Sequence, residues 1–265
     1  MSTEPTVSEL FDIRGRTALI SGAGGWLGSA MSRALAEAGA NVITTSRDLD
    51  RARGCAAALP SAEGQSHHGV ALDHLDEASI ESGFSVALSL AGKIDILVNN
   101  GHAANASDLT SVTGEEFNRS LANATGYFLL ARKLHDHAVA RSGGASIVMI
   151  GSMYGVVGSY PEAYEGVVPA SPVAYHTLKG GIVHMTRHLA VYWAKDGVRV
   201  NCLSPGPFPG PAANATMVER LTAKSPMGRM GRPEELKGAL VFLASEASSY
   251  VTGPNLLVDG GWTAW

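Results

Sequence analysis

Thr17-Ala18-Leu19-Ile20 is a short apolar run that stops at Ser21-Gly22-Ala23-Gly24-Gly25-Trp26-Leu27-Gly28, and the next stretch, Ser29 to Ala38, carries a helical pattern. Strand, glycine-rich turn and helix form the arrangement in which backbone N–H groups at a helix start, helped by the helix dipole, hold a phosphate. A glycine loop alone can be no more than a tight turn. This one opens a chain that goes on alternating strands with helices, which favours a dinucleotide site.

The alternation runs to the end. Asn41 to Ser46 reads as a second strand, Gly69 to Leu72 as a third ending at Asp73, and Ile94 to Val98 as a fourth ending at Asn99-Asn100-Gly101-His102. A helical stretch from Gly114 to about Arg141 holds Asn123 among apolar neighbours, so that residue is either buried with partners or part of a site. Ala145 to Ile150 makes a fifth strand, ending at Gly151-Ser152, and Met153 to Pro172 is a loop rich in Gly, Pro, Tyr and Glu. A sixth strand, Val198 to Leu203, runs into Ser204-Pro205-Gly206-Pro207-Phe208-Pro209-Gly210-Pro211, where prolines and glycines exclude regular structure. Ala213 to Lys224 suits a small helix, Arg232-Pro233-Glu234-Glu235 starts another, and Asn255 to Val258 is the last strand. With no linker and no repeat, the pattern predicts one α/β domain over residues 1–265. It is Rossmann-like and doubly wound, a seven-stranded, mostly parallel sheet with helices on both faces. A substrate loop is expected at 153–172 and a substrate-side segment at 207–231.

In such a sheet the ligand crevice lies beyond the carboxyl ends of the strands. The glycine turn, Arg47, Asp73, Asn99 and Ser152 all fall at those ends. An acidic residue closing the second strand would hydrogen-bond the adenosine ribose of NAD, whereas Ser46 and Arg47 suit a 2′-phosphate. That points to NADP(H); Asp48 and Asp50 stand close enough to weaken the Arg47 field, so NAD(H) stays open.

Other classes are argued against. A formal charge of −4 without a run of lysine and arginine speaks against a nucleic-acid surface. No apolar stretch approaches the ~18 residues of a membrane span. Cys55 and Cys202 are far apart with no CxxC, so neither a metal site nor a disulfide framework is expected, and a reduced, cytoplasmic setting is the default. Met1 to Glu9 lacks the basic-then-apolar pattern of a signal peptide.

Tyr175 and Lys179 stand four residues apart in a stretch that reads as helix, so both side chains leave one face. A phenol with a pKa near 10 is a poor acid–base catalyst unless its phenolate is stabilised. At about 4 Å and an effective dielectric of about 20, a lysine ammonium attracts it by about 4 kcal/mol, enough to lower the pKa by about three units. The spacing alone arises by chance on many helices.

Taken together these residues resemble the short-chain dehydrogenase/reductase family from about Phe11 to Gly261, and within it bacterial gluconate or sugar dehydrogenases. Asn99-Asn100 resembles the family's NNAG, with Gly101 next and His102 in place of its glycine. Asn123 resembles the helix-four asparagine, Ser152 the catalytic serine, Tyr175 and Lys179 the YxxxK pair, Ser204-Pro205-Gly206 the PG turn, and Asp259-Gly260-Gly261 the DGG. The resemblance implies hydride transfer between a nicotinamide and an alcohol or ketone. Tyr175 would exchange the proton, Ser152 would orient the substrate oxygen, and Lys179 would hold the nicotinamide ribose and lower the Tyr175 pKa. Asn123 would keep a water between Lys179 and solvent. Ser21, Gly22, Gly25, Trp26, Leu27, Gly28, Arg47, Asp73, Asn99, Gly101, Pro205, Gly206 and Phe208 would join Tyr175 and Lys179 around the cofactor. His102, Met153, Tyr160 and Tyr164 would face substrate. A homotetramer, or a homodimer, would form on the helices holding Asn123 and Tyr175, with Trp262 and Trp265 near an interface.

Beside His102, the sequence departs from the family pattern at three points. Gly22, Gly25 and Gly28 fit a TGxxGxxG variant with Ser21 for threonine. Twenty-three residues separate Ser152 from Tyr175 where about thirteen are usual, and the threonine after the PG turn is missing. These departures keep a non-catalytic nucleotide-binding or interaction protein in view, and a lyase-type enzyme behind it. His184 and His188 have zinc-helix spacing but lack the glutamate of HExxH and a third ligand, so no metal is expected. Tyr160 and Tyr164 have no lysine four residues on.

Overall fold

The computed structural model describes residues 4–104 and 107–264. A short helix α1 (Val7–Phe11) leads into strand β1 (Thr17–Ile20), after which strands and helices alternate. They are α2 (Trp26–Glu37), β2 (Asn41–Ser46), α3 (Leu49–Ala57), β3 (His67–Ala71), α4 (Glu77–Ala91), β4 (Ile96–Asn99), α5 (Gly114–Ala140) and β5 (Ala145–Ile150). Then follow α6 (Pro161–Tyr164), α7 (Val173–Trp193), β6 (Val198–Pro205), α8 (Ala215–Thr222), α9 (Lys237–Ala244) and β7 (Asn255–Val258). Every strand pairing is parallel, in the order β3-β2-β1-β4-β5-β6-β7. The expected Rossmann-like sheet is therefore present, parallel throughout, and its strand order reverses between β1 and β4, where such sheets open a crevice.

The strands read as unbroken apolar runs because both faces are covered. Alternate residues divide between two cores. Leu19, Ile43, Leu97, Ile147 and Val200 pack with α4, α5 and α7; Ala18, Ile20, Val42, Val98 and Leu203 pack with α2 and α9. A third, smaller cluster lies apart from the sheet: Met153, Ala163 and Tyr164 from the 153–172 segment meet Leu221 of α8 and Trp262. Arg220 ties the two segments further by donating to the Glu162 carbonyl at 3.0 Å and the Glu165 carbonyl at 2.8 Å. The two stretches expected to flank substrate thus form one body, and 153–172 is not a bare loop. Ser152 starts a 3-10 turn over Met153–Gly155, and Pro161 opens α6. Among the described residues no helix is long and apolar enough to cross a membrane.

Element ends differ from the sequence reading where caps decide them. Helix α2 begins at Trp26, three residues before the expected Ser29, because Gly25 adopts an extended N-cap conformation after a turn closed by Gly25 N–H to the Gly22 carbonyl. Helix α5 starts at Gly114 as expected, fixed by a reciprocal cap in which Thr113 Oγ1 accepts from the Glu116 amide and the Glu116 carboxylate accepts from the Thr113 amide. Trp262 turns inward and is 2 % exposed, its ring edge-on to Tyr160 at 5.5 Å. It is spent inside its own chain, and Trp265 lies outside the described residues.

Candidate active site

The glycine turn is built for close approach. Gly22 has φ +66°, and a Cβ there would come within 2.9 Å of the Gly101 Cα. A Cβ on Gly28 would run into the Gly22 carbonyl oxygen and the Asn100 amide. Ser21 Oγ accepts from the amides of Asn100 (2.9 Å) and Gly101 (2.8 Å), and Asn100 Nδ2 donates to the Ser21 and Gly22 carbonyls at 3.2 and 3.0 Å. The β1 turn and the end of β4 are thereby fastened side by side. Gly25 supplies no side-chain acceptor to the first turn of α2, which leaves its N–H groups free for an anion.

These groups line a cavity of about 420 Å³ running from the turn past Ser46, Arg47 and Arg51 to Asp73, His74 and His102. A second cavity of about 250 Å³ is lined by Ser152, Tyr175, Lys179, Pro205, Gly206 and Phe208. Leu27, Asn100 and His102 border both, so the two are continuous. An extended ligand with an anionic centre fits that shape, with one end at Arg47 and Asp73 and the other at Tyr175.

Helix α7 presents Tyr175 and Lys179 on one face as expected, with Lys179 Nζ 5.6 Å from the Tyr175 ring centroid. The electrostatics differ from the expectation. Burial pushes the Tyr175 phenol up, and hydrogen bonding to Ser152 only partly opposes it. Burial likewise depresses Lys179 to about 8, with a small opposing contribution from Cys202. Lys179 is 4 % exposed and donates to the Ile150 carbonyl at 2.7 Å, so its charge is directed at β5, and burial outweighs it at the Tyr175 phenol. Desolvation outweighs charge attraction at both groups. Ser152 Oγ accepts from the Tyr154 amide at 3.1 Å, which fixes its rotamer.

Asn123 is fully buried and fully used. Its Oδ1 accepts from His74 Nε2 and the Ala103 amide, both at 2.8 Å; its Nδ2 donates to the carbonyls of Ser120 (2.8 Å) and Ala103 (3.3 Å). Gly126, one turn on, lets α5 approach the His74 carbonyl, which a Cβ would strike. The Asn123 side chain braces the segment after β4 and has no donor or acceptor left for the expected water. Asn99 also departs from its expected place: it is 1 % exposed, donates to the Tyr127 carbonyl at 2.9 Å, and does not line the cavity. Its neighbour Asn100 lines both cavities instead.

Of the four side chains expected to face substrate, His102 lines both of these cavities and the other three line neither. Its ring stands edge-on to Tyr175 at 5.4 Å, and surrounding protein, then Lys179 and His74, push its pKa well below the usual histidine range. Met153, Tyr160 and Tyr164 belong to the third cluster, where the Tyr164 and Tyr154 hydroxyls are 2.7 Å apart. Sequence reasoning missed Arg51, whose Nη2 donates to the Gly24 carbonyl at 3.2 Å beside Arg47. It also missed His74; neither carries a local sequence signal. The acids near Arg47 are occupied: Asp48 caps α3 by accepting from the Arg51 amide at 2.7 Å, and Asp50 pairs with Arg53 at 3.6 Å.

A family model described as enoyl-(acyl carrier protein) reductase, of the short-chain alcohol-dehydrogenase type, matches residues 22–263. The chain belongs to the short-chain dehydrogenase/reductase family. Relatives within the family cover it almost end to end. A galactitol 2-dehydrogenase (L-tagatose-forming) of Cereibacter sphaeroides is 35 % identical over 97 % of this chain and 98 % of its own. A D-arabinitol 2-dehydrogenase (ribulose-forming) of Scheffersomyces stipitis is 32 % identical over 96 % of each. The structure of a gluconate 5-dehydrogenase from Burkholderia cenocepacia, in complex with NADP and tartrate, superposes with a TM-score of 0.86 at 30 % identity, covering 98 % of this chain and all of that one. Relatives named as dehydrogenases of alcohols place this chain among the family's enzymes.

Proposed function

We propose that the protein oxidises a secondary alcohol of a polyol or sugar acid, or reduces the matching ketone, with NADP(H) as its preferred nicotinamide. The observation that carries the reading is the cavity joining Ser152, Tyr175 and Lys179 to the glycine cradle. When bound, the nicotinamide supplies or accepts the hydride. Tyr175 exchanges a proton with the substrate oxygen, and the Ser152 hydroxyl donates to that oxygen as its negative charge grows. Lys179, with two of its three N–H donors unused by Ile150, offers them to the ribose hydroxyls. His102 remains a neutral imidazole at working pH and can donate to and accept from a polyol hydroxyl beside the reacting carbon.

The NADP(H) preference is supported by Arg47 and Arg51 on one wall with their neighbouring acids engaged elsewhere. The names of the galactitol and arabinitol dehydrogenases support the polyol class. A second copy of the chain is expected against α5 and α7, where Val191 and Tyr192 are 77 % and 62 % exposed. The test is a panel of alditols, aldonates and simple secondary alcohols with NADP⁺ and NAD⁺, followed by nicotinamide absorbance. Turnover of polyols with NADP⁺ is the expected result; binding of both nucleotides with no turnover of any alcohol or ketone would return the reading to a non-catalytic protein on the same fold.

A further inference from the structure

Among the described residues Lys179 is the only buried lysine, and no carboxylate pairs with it. An isolated ammonium taken out of water tends to lose its proton unless other groups replace the lost solvation. The Ile150 carbonyl supplies one hydrogen bond at 2.7 Å. The other groups facing the ammonium are few. They are Tyr175 on its own helix, Tyr127 on α5, the Cys202 thiol of β6, which burial keeps protonated, and the neutral His102 after β4. None of these is an anion.

Two of them are aromatic rings within reach. Lys179 Nζ lies 5.7 Å from the Tyr127 ring centroid and 5.6 Å from that of Tyr175, both inside the ~6 Å over which a ring face attracts a cation. Tyr127 is 1 % exposed, its main-chain carbonyl is held by Asn99 Nδ2, and its hydroxyl has no hydrogen-bond partner. No protein group accepts from or donates to that hydroxyl, so the contact Tyr127 makes with the ammonium is through its ring. The other α5 side chains fully buried in that core, Leu130, Ala131, Leu134 and Ala138, are aliphatic, and Phe128 packs against it only partly buried. The ring face is the part of Tyr127 that meets a charge.

We propose that Tyr127 is a positioning residue whose ring face, together with that of Tyr175, keeps Lys179 a cation and holds its ammonium between the Ile150 carbonyl and the cavity. This rests on the reading of Lys179 as a working member of the site, but it makes a claim about the ammonium itself and can fail separately. Loss of the Tyr127 ring would leave Tyr175 as the sole aromatic face, and Lys179 would lose its proton at lower pH.

The test is an NMR titration of the full chain with 13C-labelled lysine side chains, in which the Lys179 signal is the one missing from the spectrum of Lys179→Met. Tyr127→Phe keeps the ring and is expected to titrate with the wild type. Tyr127→Leu is expected to titrate lower by about one unit. Pentafluorophenylalanine at the same position keeps the shape while withdrawing electron density from the ring face, and is expected to follow the leucine variant; it decides the matter if Tyr127→Leu does not fold. A wild-type titration in the fluorinated protein would overturn the proposal. So would a shift in Tyr127→Phe as large as that in Tyr127→Leu, which would assign the effect to the hydroxyl. Because the titration needs no turnover, a protein inactive on every alcohol would refute the proposed function without touching this result.

Discussion

Replacing Lys179 with methionine should separate the folding cost of the site from its chemistry. The fall of the Lys179 pKa from 10.5 to about 8 corresponds to roughly 3 kcal/mol at about 1.36 kcal/mol per unit, a penalty borne by the folded chain at neutral pH. Methionine removes that penalty and leaves the Ile150 carbonyl without its donor, which costs about 1–3 kcal/mol. The net change at pH 7 is therefore between roughly nothing and about 2 kcal/mol of stabilisation, but its pH dependence does not rely on that balance. Between the folded value of about 8 and the unfolded value of 10.5 the unfolded chain binds the extra proton, so wild-type stability rises with pH across this window. The methionine variant lacks this slope. Urea unfolding of the ligand-free proteins at fixed concentration, from pH 7 to 10, should show the stability difference moving toward the wild type by most of the ~3 kcal/mol. A difference that stays flat with pH would refute the idea that desolvation dominates at Lys179.

Two further substitutions probe the ends of the site. Arg47→Ala and Arg51→Ala should each weaken binding of 2′,5′-ADP about tenfold or more while leaving 5′-AMP nearly unchanged, from the ~1.5–3 kcal/mol of a hydrogen bond to a charged group; calorimetry on the ligand-free protein reads this directly. Arg220→Ala removes both bonds from α8 to the carbonyls of Glu162 and Glu165, and should raise KM for substrate by up to about tenfold with nucleotide affinity unchanged. Proteolysis should cut first within 153–172 in that variant, as measured by mass spectrometry.

The sheet was readable from the sequence because its strands are buried on both faces and appear as short apolar runs between turn signals; Thr17–Ile20, Asn41–Ser46, Ala145–Ile150 and Asn255–Val258 fall where the pattern places them. The reacting groups were readable for a related reason. Ser152 lies just beyond the end of β5, and Tyr175 and Lys179 are one helical turn apart, so local geometry already puts them together. What was hidden depends on contacts distant in sequence. His74 meets Asn123 across 49 positions. Arg51 reaches Gly24 across 27. Asn99 and Asn100 look equivalent as letters, but the first closes β4 and turns into the core while the second reaches the cavity. The sign of the Tyr175 shift was also out of reach, because charge attraction follows from spacing whereas desolvation follows from how deeply α7 is packed.

In the proposed reaction Tyr175 moves the proton while the neighbouring groups hold substrate and nucleotide. Its most direct test is Tyr175→Phe, measured by steady-state turnover of a polyol with NADP⁺ alongside calorimetric binding of NADP(H). Nucleotide binding is expected within a few-fold of the wild type, with a loss of kcat of at least the ~100- to 10,000-fold typical of acid–base catalysis. Retention of wild-type turnover with the hydroxyl gone would contradict it.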